Sequence, residues 1–583
     1  MRQGDIMRRR TFVKGVAVTS LLTLTATDAE ARTRSKRINN RNILRGNEFF
    51  LDIDYTPVNI TGKNAVATAI NGQIPAPTLV WKEGETVTLH VTNHLKKTSS
   101  IHWHGIILPA GMDGVPGLSF DGIAPGETFT YTFKVRQHGT YWYHSHSGFQ
   151  EQTGMYGAII IQPKRKEPFA YDKDYVVLLS DWSDEKPETI YKKLKKMSHY
   201  YNFSRRTVGT FLDEVKEKGL ANAFSDRKMW NQMRMNDRDL SDVTGYTYTF
   251  LMNGKNPATQ FKALFNRGEK IRLRFVNASA MTFFDVRIPG LKMTVVAADG
   301  NHVKPLSIEE FRIGVAETYD VIVEPADHKA YAIFAQSIDR SGYAMGSFTP
   351  KTSMLAKAPA MDPKPVLTHT DMGMDMGQMD HGGGMKCGSG MMMSSKKDLE
   401  KDKYAKMESQ RYPITQLPMK RGLQTTMKAV APKYRLDDPG VGLRNNGRKV
   451  LTYADLKNRY STRKAKKPDR EIILHLTGNM ERYMWSINGI KYADSKPLVF
   501  YYGERIRITF INDTMMNHPM HLHGMWSDLE TGDDNHLVRK HTVIVQPGAK
   551  ISYRVTVDAR GAWAYHCHML YHMAGMFRKV VVA

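Results

Sequence analysis

Apolar and polar residues alternate along Gly84-Glu85-Thr86-Val87-Thr88-Leu89-His90-Val91-Thr92-Asn93. The same pattern returns from Gly268 to Asn277 and again from Gly503 to Asn512. A period of two predicts a strand with one face buried and the other wet. Each copy follows an Asn-Gly pair: Asn71-Gly72, Asn253-Gly254 and Asn488-Gly489. These pairs suit tight hairpins, because both residues tolerate positive φ. Three matching copies predict three related β-sandwich domains. The first and third agree further. Pro125-Gly126 precedes His144-Ser145-His146 by the same spacing at which Pro547-Gly548 precedes His566-Cys567-His568. His102-Trp103-His104-Gly105 likewise corresponds to His521-Leu522-His523-Gly524. The middle copy has no such histidines and reads as a spacer that sets the distance between its neighbours.

The expected chain is therefore all-β, with domains over 45–165, 170–348 and 469–583. Two stretches break the alternation. Residues 185–243 are rich in Lys, Met and aromatics, and the spacing of Leu194, Phe211, Leu212 and Val215 predicts a helical insertion in the second domain. Residues 349–468 are dominated by Lys, Pro, Gly and Met and read as a long Met-rich flexible linker. At the start, Arg9-Arg10-Thr11-Phe12-Val13-Lys14 resembles a twin-arginine export motif. It is followed by an apolar run from Val16 to Thr25 and by Ala29-Glu30-Ala31. Residues 1–31 thus read as a signal peptide, and the mature protein as periplasmic.

The 583 residues carry a formal net charge of +25. Lys and Arg are scattered along the chain, which predicts a cationic solvated surface and no nucleic-acid partner. No later apolar run is long enough to span a bilayer.

Ten of the 21 histidines fall in four short motifs. They are His102-x-His104, His144-x-His146, His518-x-x-His521-x-His523, and His566-Cys567-His568 with His572. On a strand, residues i and i+2 share a face, so each H-x-H pair presents two imidazoles to one side. Cys567 then points to the other side, and one strand can serve two metal sites. A thiolate with two imidazoles and a weak axial Met suits a blue copper electron-transfer site, and an all-histidine cluster suits copper that meets dioxygen. With Cys567 a ligand, the only other cysteine, Cys387, has no partner for a disulfide.

These motifs resemble those of the multicopper oxidases, and the resemblance covers most of the mature chain. It is closer to the bacterial copper-resistance protein A type. The stretch from Asp181-Trp182 through Tyr200-Tyr201-Asn202-Phe203 to Lys228-Met229-Trp230 carries that likeness, as do Thr514-Met515-Met516-Asn517-His518-Pro519 and the Met-rich linker. The resemblance implies cupredoxin-like domains and four coppers. A type 1 copper would take His518, Cys567, His572 and axial Met576. A type 2 copper would take His102 and His521, and a type 3 pair His104, His144, His146, His523, His566 and His568. Asp113 resembles the acid that assists proton delivery. One departure stands out. The family's axial residue lies five positions after the last histidine, where this chain has Phe577, whereas Met576 is at four. A Phe577 neighbour would leave the copper three-coordinate.

Thioethers and thiols favour Cu(I). Met372, Met374, Met376, Met379, His381, Met385 and Cys387 are therefore candidate Cu(I) ligands in the linker, followed by Met391, Met392 and Met393. Met515 and Met516 flank His518 and could lead Cu(I) inward. Asp528, Glu530, Asp533 and Asp534 could steer a cation. The leading expectation is a copper-resistance enzyme that oxidises Cu(I) to Cu(II) and reduces dioxygen to water. Other periplasmic copper-handling proteins are candidate partners. The alternatives are a laccase-like phenol oxidase and a copper-sequestering protein.

Overall fold

The computed structural model describes residues 42–374, 404–463 and 465–583. The described residues are mostly β and build six sheets, two per repeat. The three alternating segments become the strands Thr86–Asn93, Ile271–Asn277 and Arg505–Asn512. Each lies between one parallel and one antiparallel neighbour: Glu48–Asn59 and Thr128–Lys134, Lys173–Trp182 and Thr318–Val323, Arg470–Asn479 and Ala549–Thr556.

The asparagine that closes each strand explains why it recurs. Asn93, Asn277 and Asn512 are fully buried. Each side-chain amide donates to two backbone carbonyls: Lys97 and Ile123, Thr282 and Ile313, Met516 and Val545. Each Oδ1 accepts the amide N–H two residues on. A buried loop carries polar backbone groups that must be paired, and one asparagine pairs three of them. The Asn-Gly turns also recur, with φ of 53° and 67°, 50° and 72°, and 52° and 68°. Positive φ at both positions is what a two-residue hairpin requires.

Helices lie at Pro187–Lys196, Val208–Lys218 and Leu220–Gln232, inside the stretch with helical spacing. Ile190, Leu194, Ala223 and Trp230 are buried, which anchors the insertion. It leans on the third domain: Lys195 Nζ donates to the Tyr483 carbonyl at 2.8 Å, and Arg234 pairs with Glu481 at 2.7 Å.

The stretch read as a flexible linker is different in its described parts. Residues 404–463 form a strap bound to the second and third domains. Ile414–Thr415 and Lys433–Tyr434 add parallel to the sheet of the third domain. Val450 and Asn458 bridge to Glu310 and Val303 of the second. Tyr404, Met407, Tyr434, Leu436, Leu451 and Leu456 are buried. Arg435 and Arg444 pair with Asp371 and Asp438, and Arg448 with Glu310. Scattered aromatic and aliphatic anchors hold it, and composition alone hides them. No described helix is long and apolar enough to cross a membrane.

Candidate metal centre

The third domain's strand Gly561–Cys567 lies between His518–Leu522 and Phe577–Val582. Pleating sends Cys567 to one side and His566 and His568 to the other. On the Cys567 side, Sγ lies 3.5 Å from His518 Nδ1 and 3.7 Å from His572 Nδ1. The outer nitrogens are tied down, as ligand histidines require. His518 Nε2 donates to Thr514 Oγ1 at 2.7 Å, and His572 Nε2 to Asp242 Oδ2 at 2.7 Å. Trp485 stacks on His572 with centroids 3.9 Å apart. Burial raises Asp242, which the insertion's end supplies, to about 7, and the Tyr483 hydroxyl donates to it. His518, Cys567 and His572 are all fully buried.

The question of Met576 and Phe577 resolves into register. Phe577 pairs with His566, so it shares that residue's face, and its ring stacks on His566 at 5.4 Å. It also packs on Tyr492. Its ring is therefore on the far side of the strand from the thiol. Met576 sits opposite Cys567, whose N–H donates to its carbonyl at 3.0 Å, and is fully buried.

On the other side, eight histidines meet, four from the first domain and four from the third. His102 pairs with His144 across adjacent strands. His104, His144 and His568 form one group of convergent nitrogens, and His146, His523 and His566 another. His102 and His521 form a third, which shares His104. Asp113 bridges the domains: its Oδ2 accepts from His523 Nδ1 at 2.8 Å, and its carbonyl from His102 Nδ1 at 2.8 Å. His144 Nδ1 lies 3.0 Å from the Ser145 carbonyl and 2.8 Å from Glu151 Oε2. Burial holds Glu151 well above and His144 well below their ordinary ranges.

The donor set fits copper. His102 Nε2, His104 Nδ1 and His521 Nε2 are buried, face one another and have no protein partner. Unpaired polar atoms in such a place cost about 1–3 kcal/mol each unless something binds them. Burial, then neighbouring imidazoles, push His104, His144, His146, His521, His523 and His568 well below the usual histidine range, and His566 to about 4. They are neutral and available as ligands. Burial pushes the Cys567 thiol up, so a thiolate there needs an adjacent cation.

Two glycines of the motifs are explained by close approach. A Cβ on Gly105 (φ 77°) would fall 2.5 Å from His541 Cδ2, and one on Gly524 (φ 73°) 2.4 Å from Trp563.

Other expectations change. Met515 and Met516 are buried in the third domain's core, and so is Met520. Met372 is also fully buried, and Met374 partly. Met376, Met379, His381, Met385 and Cys387 lie outside the described residues. Asp528 and Glu530 offer no free anionic patch, since Arg505, Arg507, Arg539 and Arg554 pair with them. Sequence reasoning missed Asp242, Glu151, Trp485, Asp299 and His541. None lies in a spaced motif; tertiary packing alone brings them to the centre.

A thiol–imidazole site and an eight-histidine cluster back to back on one strand, between the outer two of three paired-sheet domains, mark the class of multicopper oxidases. Models of that family match residues 52–166, 173–353 and 465–583. Copper resistance protein A of Escherichia coli is 55% identical over 98% of this chain and 99% of its own. Copper resistance protein A of Pseudomonas syringae pv. tomato is 52% identical over the same shares. The crystal structure of Fet3p, a multicopper oxidase that functions in iron import, shares the fold with a TM-score of 0.62. It covers 92% of this chain and 90% of that one at 19% identity. The chain belongs to the multicopper oxidases, with the copper resistance protein A homologues as its full-length relatives, and copper is the family's cofactor.

Proposed function

We propose that the protein oxidises Cu(I) to Cu(II) and passes the electrons to dioxygen. The observation that carries this reading is the burial of His518 and His572, both 0% exposed. A phenol has no edge of either imidazole to touch. The names of the 52–55% identical relatives point the same way. So do the thioethers of 375–393, which suit Cu(I) as substrate.

In this reading His518, Cys567, His572 and axial Met576 hold the electron-accepting copper. His102 and His521 hold a second, His104, His144 and His568 a third, and His146, His523 and His566 a fourth. Bound there, copper supplies one-electron acceptance at the thiolate and multi-electron reduction of dioxygen at the histidine cluster. Four Cu(I) and four protons are consumed for each dioxygen converted to two waters. Cys567 is bonded through the backbone to both His566 and His568, a short covalent route between the faces. Asp113 holds the His523 Nδ1 proton and stands at the cluster's edge as the acid that supplies protons. Asp242 fixes the His572 tautomer, so Nδ1 faces the sulfur. Export through the twin-arginine signal would place this chemistry in the periplasm.

The test is oxygen uptake by the purified copper-loaded protein, with Cu(I) and a simple phenol compared and Cys567→Ser as control. Rapid uptake with Cu(I), little with the phenol and none in the variant supports the reading. Preference for the phenol overturns it.

A further inference from the structure

His541 belongs to none of the spaced motifs, yet it touches two of the histidine groups. It precedes the strand Thr542–Val545, which pairs with His518–Leu522. Its carbonyl accepts from His521 Nδ1 at 2.6 Å. Its ring Nδ1 lies 3.1 Å from His104 Nε2, and Thr542 Oγ1 is 3.1 Å from that same Nδ1. The middle domain fixes this corner: Asp299 Oδ2 accepts the backbone N–H of both His541 and Thr542 at 3.1 Å. The ring is confined between Trp526, Tyr141 and the bare Cα of Gly105.

The partners bear on the tautomers. His104 Nδ1 faces the histidine cluster without a protein partner, so the proton of a neutral ring sits on Nε2, within reach of both His541 Nδ1 at 3.1 Å and Thr542 Oγ1 at 3.2 Å, and Asp299 Oδ2 lies 3.6 Å from that His541 Nδ1. With the His104 proton donated to His541 Nδ1, His541 carries its own proton on Nε2. That nitrogen is buried and has no partner. His541 also lines a small cavity of about 10 Å³ with Gly105, Trp526, His102, His521 and His523. The space is that of about one water-sized sphere. The unpaired nitrogens of His102 and His521 belong to residues of the same wall. An unmet N–H donor beside a one-molecule space calls for a small acceptor.

We propose that His541 is a working residue of the centre: its Nδ1 side holds His104 in register, and its Nε2–H binds the water or small anion lodged beside His102 and His521. The inference rests on those two histidines sharing one copper. A parent protein whose copper resonance does not respond to fluoride would overturn that assignment before any variant is made.

Fluoride is the probe, titrated into the copper-loaded full chain and read by the fluoride-induced change in the electron paramagnetic resonance spectrum, with copper content measured alongside. Two variants separate the two sides of the ring. His541→Asn keeps a polar atom near Nδ1 and loses the Nε2 donor, whereas His541→Gln keeps a donor near Nε2. The expected result is that the Asn variant binds fluoride at least tenfold more weakly, or loses the copper at that position, and that the Gln variant recovers to within threefold of the parent. An Asn variant that binds fluoride as the parent does, or a Gln variant no better than Asn, overturns the proposal. The blue thiolate absorption stays unchanged in both if the fold is intact.

Discussion

Replacing Asp299 with Asn tests how a domain without copper ligands shapes the centre. Asp299 is fully buried. Its Oδ1 accepts from Thr318 N–H at 3.0 Å. Its Oδ2 takes the backbone N–H of His541 and Thr542 at 3.1 Å, and Lys540 Nζ at 3.0 Å. Burial alone would raise its carboxyl, but His541, Lys540 and backbone donors hold it below the ordinary range. An Asn in the least damaging rotamer turns its amide toward Thr318, which sets donor against donor and loses a hydrogen bond worth about 1 kcal/mol. Lys540, 0% exposed, loses the charge of Asp299 and keeps Glu317 at 3.0 Å as its anionic partner. Breaking a buried ion pair costs about 3–5 kcal/mol, and the surviving Glu317 places this case at or below the low end. The total is about 3 kcal/mol, or roughly 150-fold in the local opening equilibrium at 1.4 kcal/mol per decade. The assay is hydrogen exchange of copper-free protein over the peptide 538–545, with copper content measured after reloading. The expected result is a loss of protection of that order, with copper depleted from the histidine cluster and the blue site retained. Protection within threefold of the parent would refute the reasoning and make Asp299 a bystander.

Other substitutions address separate parts of the account. Met576→Leu conserves volume and should cost under about 1.5 kcal/mol. It should raise the potential of the blue site, measured by redox titration, whereas Phe577→Leu should leave that potential unchanged; the opposite pattern would contradict the register argument. Gly524→Ala forces an L side chain to φ 73° against Trp563. With about 1–2 kcal/mol of backbone strain before any clash, it should lower the thermal midpoint and strip copper held by His521 and His523. Acid should release the strap. Burial raises Asp438, but Arg444 and Arg435 more than offset it and hold its carboxyl at about 2, against an ordinary 3.8. Its stabilisation is therefore present above 3.8 and lost as pH falls through about 2. Exchange protection of peptide 434–446 should hold from pH 6 to pH 4 and fall below pH 3; a loss already complete at pH 5 would point to other groups.

The fold was legible where a local rule repeats. Alternation and Asn-Gly turns located the three equivalent strands, and the H-x-H period foretold which side chains share a face. The strap was not legible, because its hold on the two domains comes from spaced anchors such as Tyr434, Leu436 and Leu451, with arginines that find acids far away in sequence. The site divides in the same way. Histidines in motifs were visible, whereas Asp242, Asp299 and His541 act across domain boundaries, Glu151 reaches His144 within the first domain, and none of the four obeys a sequence period. Spacing alone could not choose between Met576 and Phe577. The cross-strand register separates them, with Phe577 beside His566 and Met576 opposite Cys567, because adjacent residues on a strand face opposite ways.

The central claim is that one strand carries copper on both faces. Anomalous diffraction at the copper edge from crystals of the copper-loaded protein tests it most directly. The account predicts one peak among His518, Cys567 and His572, and three peaks among the eight histidines on the other side. A copper-loaded crystal with no peak beside Cys567, or with a single peak in the histidine cluster, would contradict it.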